Sequence, residues 1–231
     1  MQADDVESPF TLSPTPPPDR PKSRRKLVLF LFILLPLLAV ACGWLFLRYA
    51  VVRVFYIPSE AMEPTLMGHE KGYSQTGTQY DETVHDRIIV NKFSYRSHEP
   101  TPGDIVVFTA PKEADMQHNH TVEDILVKRI VAVGGDTVEV KKDGKGVWRV
   151  YRNNQPLDEP YIKEPMMDMR MAGAEFAVNG PLKLAPGELF VMGDNRNHSN
   201  DSRYWGPLKR GRVIGKATAI ISPPGRERSL P

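Results

Sequence analysis

A lysine set between two apolar faces is the most unusual chemical feature of this sequence. Residues 124–133 read DILVKRIVAV. Alternation along a strand puts Leu126, Lys128, Ile130 and Ala132 on one face and Ile125, Val127, Arg129, Val131 and Val133 on the other. Apart from the adjacent cations both faces are apolar, which predicts a strand buried on both sides. An ammonium among such neighbours loses hydration, and its pKa falls toward neutrality. A neutral lysine amine is a competent general base for a serine hydroxyl. The alternative is an edge strand from which Lys128 snorkels into water. A second segment, 193–206 (GDNRNHSNDSRYWG), follows the apolar run Leu189–Met192. Such a polar stretch at a strand end is either a plain turn or a shell around a reactive group. Its hydroxyls and carboxylates suit support of a buried amine, with Asp194 or Asp201 able to neutralise Arg129 or Arg203. The third segment is 56–66, YIPSEAMEPTL, where Pro58 and Pro64 favour an extended path.

Other chemistry is weakly represented. No G-x-S-x-G elbow, H-E-x-x-H helix or phosphate-cradling glycine loop occurs. His118 and His120 could share a metal, but no third ligand is evident and a solvated loop is the simpler reading. The lone cysteine, Cys42, excludes a disulfide within the chain and argues against a cysteine-based zinc site. Thirty Lys and Arg against 28 Asp and Glu leave a net charge of +2, too balanced for a nucleic-acid binder read on charge.

The elements that must position these residues fall into three regions. Residues 1–26 hold six prolines and end in basic residues, which predicts a disordered tail. Residues 27–47, LVLFLFILLPLLAVACGWLFL, carry no charge, and at about 1.5 Å per residue they match one bilayer core. Pro36 is tolerable in such a helix. Ala39-Val40-Ala41 resembles a signal-peptide cleavage site and Cys42 a lipoprotein acceptor, but the apolar run continues past both, favouring an uncleaved anchor. Five basic residues between Arg20 and Lys26 place the N-terminus in the cytoplasm and residues 48–231 across the membrane.

Residues 48–231 show short β-rich runs at 51–57, 87–93, 104–109, 125–133, 137–140, 147–152, 188–192 and 213–221. Gly134-Gly135-Asp136 and Asp143-Gly144 read as hairpin turns between runs. The fold class expected is mainly β: one transmembrane helix, then an antiparallel β domain. The cluster Met166, Met167, Met169 and Met171 reads as a loose turn, a mobile loop or core filler.

Together these segments resemble type I signal peptidases, membrane-bound serine proteases that remove signal peptides from exported proteins. The resemblance rests on IPSEAMEPTL (57–66), RIIVNKFSY (87–95), GDIVVF (103–108), LVKRIVAVGGD (126–136), QPLDEPYI (155–162) and GDNRNHSNDSRYWG (193–206). It implies a catalytic core over 51–136 and 188–221, with an inserted β-rich subdomain over about 137–187. It implies Lys128 as general base of a Ser/Lys dyad, with Ser199 bonded to its amine. It further implies pairs Asp194–Arg129 and Asp201–Arg203, Ser59 as an oxyanion donor, and substrate binding beside Pro58 and Met62.

Two departures stand out. The family's nucleophilic serine precedes the methionine, and here that position is Ala61. Ser59 would face the same way on an extended strand, but about 7 Å along the chain. A polar insertion over 67–85, read as a surface loop near the site, also separates the motif from the next strand, and His85-Asp86 follows where the family has Gly-Asp. The expected function is a membrane-anchored serine endopeptidase, facing the outer side of the plasma membrane, cutting preproteins after A-x-A. It would need no metal or organic cofactor, and its partners would be signal-peptide-bearing preproteins and the lipid bilayer. The alternative is an inactive, membrane-anchored relative that binds signal peptides or another protein without cleavage. A self-cleaving Ser/Lys repressor-type protein fits poorly with the anchor.

Overall fold

The computed structural model describes residues 22–46, 51–74, 77–114, 125–167 and 173–231. The tail over 1–21, together with His118, His120, Met169 and Met171, lies outside the described residues.

Helix α1, Lys22–Phe46, runs unbroken through Pro36 and through Ala39–Cys42. Its 20 residues from Leu27 to Phe46 have a mean hydropathy of 2.7, none is buried, and they are long enough for one bilayer crossing.

Among the described residues the β domain has eight strands of five or more residues: β1 (Val52–Tyr56), β2 (Arg87–Asn91), β3 (Ile105–Thr109), β4 (Ile125–Val133), β5 (Thr137–Lys142), β6 (Trp148–Arg152), β7 (Glu188–Met192) and β8 (Val213–Ser222). The larger sheet runs β1-β2-β8-β3-β4-β7 and ends on Leu208–Lys209, with Arg228–Ser229 added to β8. Gln155–Pro156, β6, β5 and Leu182–Lys183 make a four-stranded second sheet. Every pairing between these strands is antiparallel.

Period-two patterning decides how the sheets pack. On β3, Ile105 and Val107 join a cluster with Ile57, Met62, Leu66, Ile88 and Val90. Val106 and Phe108 face the other way, with Ile130, Val191, Trp205 and Leu208. Covered on both faces, β3 needs no polar residue, and its first four residues are fully buried. Val131 and Ala132 of β4, with Phe190 and Met192 of β7, share a third cluster with Val138, Val140, Trp148 and Val150 of the second sheet.

Three expectations need correction. Gly134-Gly135-Asp136 is no hairpin turn: β4 pairs with β3 and β7, and β5 with β6, so the chain here crosses from one sheet to the other. Gly134 packs against the Ala185 carbonyl and Pro186, where a Cβ would not fit, and Gly135 has φ +95°. The 57–66 stretch is not extended throughout. Ser59 is extended, but Glu60–Met62 is a 3-10 turn closed by the Glu63 amide on the Glu60 carbonyl at 3.0 Å. The 67–85 insertion is not plain loop; it carries two short ladders, Gly68–His69 with Val84–His85 and Gly72–Tyr73 with Gln79–Tyr80.

Sequence past β8 belongs to the sheet as well. Arg226 grips the fully buried Asp86 through two bonds of 2.7 and 2.8 Å. Arg228 donates to the Thr65 carbonyl at 2.6 Å, and Leu230 packs on the cluster containing Ile57 and Met62.

Candidate active site

Register brings the three chemical segments together. On β4, Lys128 pairs with Val106 of β3, while Arg129 pairs with Met192, the last residue of β7. One step further along, the chain leaves the sheet at Gly193, level with Lys128. From Lys128 to Ala132 every residue is buried, and Lys128 itself is 4% exposed. The surface-snorkelling alternative is thereby excluded.

The Glu60–Met62 turn lies against β4 and against the start of the 193–206 segment. The Asn195 amide donates to the Ala61 carbonyl at 3.2 Å, and its side-chain Nδ2 donates to the Glu60 carbonyl at 3.1 Å. Gly193 packs so closely on the Ala61 carbonyl and the Ser199 side chain that any Cβ there would collide with both. Ala61 is buried; Pro58 and Ser59 are exposed. Because the backbone turns between them, Ser59 and Ala61 do not share a strand face, which removes the geometric ground for Ser59 as a replacement nucleophile. Met62 is 2% exposed and its side chain belongs to the core, so a ligand at this turn would meet its backbone.

Buried charge surrounds the lysine in pairs. Arg129 donates to both carboxylate oxygens of Asp194, at 2.8 and 2.7 Å, and to the Gly103 carbonyl at 2.9 Å. Thr65 Oγ1 adds a 2.5 Å bond to Asp194. Asp201 accepts two 2.8 Å bonds from Arg203, and also bonds from the Gly193 amide and the Arg203 amide. As N-cap of the single helical turn Ser202–Trp205 it uses a preferred capping side chain. Burial pushes the Asp201 carboxyl up, but Arg203, the Gly193 amide and Lys128 outweigh it and hold its pKa low. A third pair is absent from the sequence reading: Arg196 donates to Glu159 at 3.0 and 2.5 Å and to the Gly193 carbonyl at 2.9 Å. Tyr161 lies under the Arg129 guanidinium, 4.0 Å from ring centre to Cζ. QPLDEPYI had marked that neighbourhood, but no pattern tied Glu159 to Arg196, 37 residues later.

With its acids each committed to an arginine, the lysine is left with burial as the dominant influence. Desolvation lowers its pKa from 10.5 to about 8, against opposing attraction from Asp201 and Asp194 and with added repulsion from Arg203. At neutral pH a usable fraction of the amine is therefore uncharged. The Ser199 hydroxyl is buried and makes no hydrogen bond among the described residues, so the Ser199–lysine bond implied by the resemblance is not formed here. The Asn195 Oδ1 is likewise buried and unbonded among the described residues. The arrangement holds a partly neutral amine on the strand against which the Glu60–Met62 turn packs, and Ala61 offers no hydroxyl for it to deprotonate.

A family profile described as "Signal peptidase, peptidase S26" matches residues 25–222. Signal peptidase I of Mycobacterium tuberculosis is 36% identical, over 90% of this chain and 77% of its own. Probable signal peptidase I-1 of Synechocystis sp. is 40% identical, over 83% of each. A crystal structure of a signal peptidase I from Enterococcus faecalis V583 overlaps 54% of this chain and 98% of its own at 25% identity, with a TM-score of 0.35. With a mainly β, antiparallel domain behind an apolar N-terminal helix, the chain belongs to the signal peptidase family, peptidase S26.

Proposed function

We propose that this protein is built for signal-peptide cleavage by a Ser/Lys dyad whose serine position is occupied by Ala61. The observation that carries the reading is Lys128: a buried amine with a pKa near 8, level with Gly193, where Ser199 and the Ala61 carbonyl converge. Residues 51–136 and 188–221 form the catalytic core in this reading, and 137–187 the inserted subdomain. The anchor leaves the N-terminus in the cytoplasm and the β domain on the outer face of the plasma membrane.

The preprotein binds as an extended segment beside Pro58–Met62, through backbone hydrogen bonds. With a serine at 61, the neutral Lys128 amine takes the hydroxyl proton as the oxygen attacks the scissile carbonyl. The ammonium so formed returns the proton to the leaving amine, giving an acyl-enzyme. The mature chain departs as that amine, and water, deprotonated by Lys128, then hydrolyses the ester to free the signal peptide and restore the serine. Ser59 donates to the oxyanion, an interaction typically worth about 3 kcal/mol of transition-state stabilisation. The Asp194–Arg129 and Asp201–Arg203 pairs hold the two walls of the site. No metal or organic cofactor enters these steps.

Ala61 favours one second reading: as it stands, the chain grips signal peptides without cutting them. The protein with its anchor, in detergent micelles and given a preprotein with an A-x-A site, separates the two. The Ala61→Ser protein cuts after A-x-A and the Ala61→Ser, Lys128→Ala protein does not, while the unaltered chain binds but leaves the preprotein whole. Cleavage by the unaltered chain that disappears with Ser59→Ala would instead make Ser59 the nucleophile. An inert Ala61→Ser protein that still binds signal peptides would leave only the binding function.

A further inference from the structure

The turn that carries residue 61 cannot hold its own position. It is one 3-10 turn with a single internal backbone bond, too short to be stable alone. Asn195 ties it on the inner side, through the Glu60 and Ala61 carbonyls. On the other side the two flanking acids, Glu60 and Glu63, meet the 67–85 insertion.

The insertion is rooted on the same segment. Gly68 packs on the Ser59 backbone, closer than any Cβ would allow, and His85 bonds the Ile57 carbonyl at 2.9 Å. From that root the ladder returns Tyr80 to the turn. Its hydroxyl lies 2.8 Å from Glu60 Oε2 and 2.7 Å from Glu63 Oε2, so one phenol spans the carboxylates at the two ends of the turn. His69, 7% exposed, stacks on the Tyr80 ring at 3.7 Å and sits 2.5 Å from Glu63 Oε1. Lys163, from the segment between Gln155–Pro156 and Leu182–Lys183 of the second sheet, donates to Glu63 at 2.8 Å and to the Tyr80 oxygen at 3.1 Å. Burial favours a neutral Glu63, yet Lys163, His69 and Tyr80 together keep its pKa below the usual carboxylate range. The insertion therefore faces the turn with a phenol, an imidazole and, through Glu63, a shared ammonium.

We infer that the 67–85 insertion is a brace for the turn that bears residue 61, and that Tyr80 is a positioning residue for the proton-transfer step. The inference rests on the dyad reading for its kinetic consequence, but the brace itself concerns only the backbone of 60–63. Tyr80→Phe keeps the stack on His69 and removes the hydroxyl. A displacement of roughly 1 Å at a reacting oxygen costs about a hundredfold in rate, so loss of one of several ties should lower kcat by about tenfold.

The test uses the protein with its anchor, in detergent micelles. Hydrogen exchange is followed in the peptide covering 57–66, with the β3 strand as internal reference and Tyr73→Phe, on the same ladder but 76% exposed, as control. Tyr80→Phe speeds exchange in 57–66 by about tenfold while β3 stays unchanged, a local opening; Tyr73→Phe changes neither. In the Ala61→Ser background, Tyr80→Phe lowers kcat by about tenfold and leaves KM within about twofold. Unchanged exchange in 57–66 overturns the brace, and so does acceleration shared equally by β3, which would mark a general loss of stability. Should Ala61→Ser itself prove inert, the dyad reading falls and the exchange measurement still decides the brace.

Discussion

Replacing Lys128 with methionine should make the protein more stable near neutrality, and the gain should shrink as pH rises. In the unfolded chain the amine titrates near 10.5, and in the folded domain burial lowers this to about 8. Between those values the unfolded chain holds more protons than the folded one, so native stability rises with pH through that window. Below pH 8 the folded state carries a protonated amine in a dry site. The drop in pKa corresponds to a cost of about 3 kcal/mol at pH 7, falling to about 1 kcal/mol at pH 9.5. Methionine has a similar length and no charge, so Lys128→Met removes that cost; any difference in packing is independent of pH and cancels between the two conditions. Urea unfolding of the full chain in micelles, read by tryptophan emission from the buried Trp148 and Trp205, would give the gap between the two proteins at each pH. The expected result is a gap about 2 kcal/mol wider at pH 7 than at pH 9.5. A gap that stays constant over that range would refute a depressed lysine pKa, and with it the physical basis for a neutral amine at this site.

The remaining predictions concern the walls of the site. In the Ala61→Ser protein, single-turnover cleavage should rise about tenfold per pH unit up to about pH 8 and then level off; a profile flat from pH 6 would exclude Lys128 as the base. Gly193→Ala should lower that cleavage at least about a hundredfold, because its methyl group collides with the Ala61 carbonyl and Ser199; near-normal rates would mean the turn has room to move. Asp194→Asn should destabilise the protein by about 3–5 kcal/mol in urea, since Arg129 is left buried without its counter-charge.

How much of this was legible in the sequence depended on the length of each pattern. Strand β4 is readable to the residue, because nine positions of alternation with apolar side chains on both faces leave no other home for them. The residues alone left open whether Asp194 or Asp201 neutralises Arg129; the specific pairing of Asp194 with Arg129, 65 residues apart, came from the resemblance. What was missed was short or shared. A single turn such as Glu60–Met62 has no periodicity, and the flanking prolines argue for extension. The two-residue ladders of the insertion hide among Gly, Thr, Gln and Asp. Gly134-Gly135 has the composition of a hairpin, and only the competing claims of β3 and β7 on β4 show that the chain must leave the sheet there.

Arg226 holds the buried Asp86 at the far end of the insertion, Arg228 reaches the carbonyl of Thr65, and Leu230 fills a gap beside Ile57. Alterations between Arg226 and Leu230 would slacken the very peptide that presents residue 61, so cleavage lost from an Ala61→Ser protein altered there would report a loosened latch instead of a missing reagent.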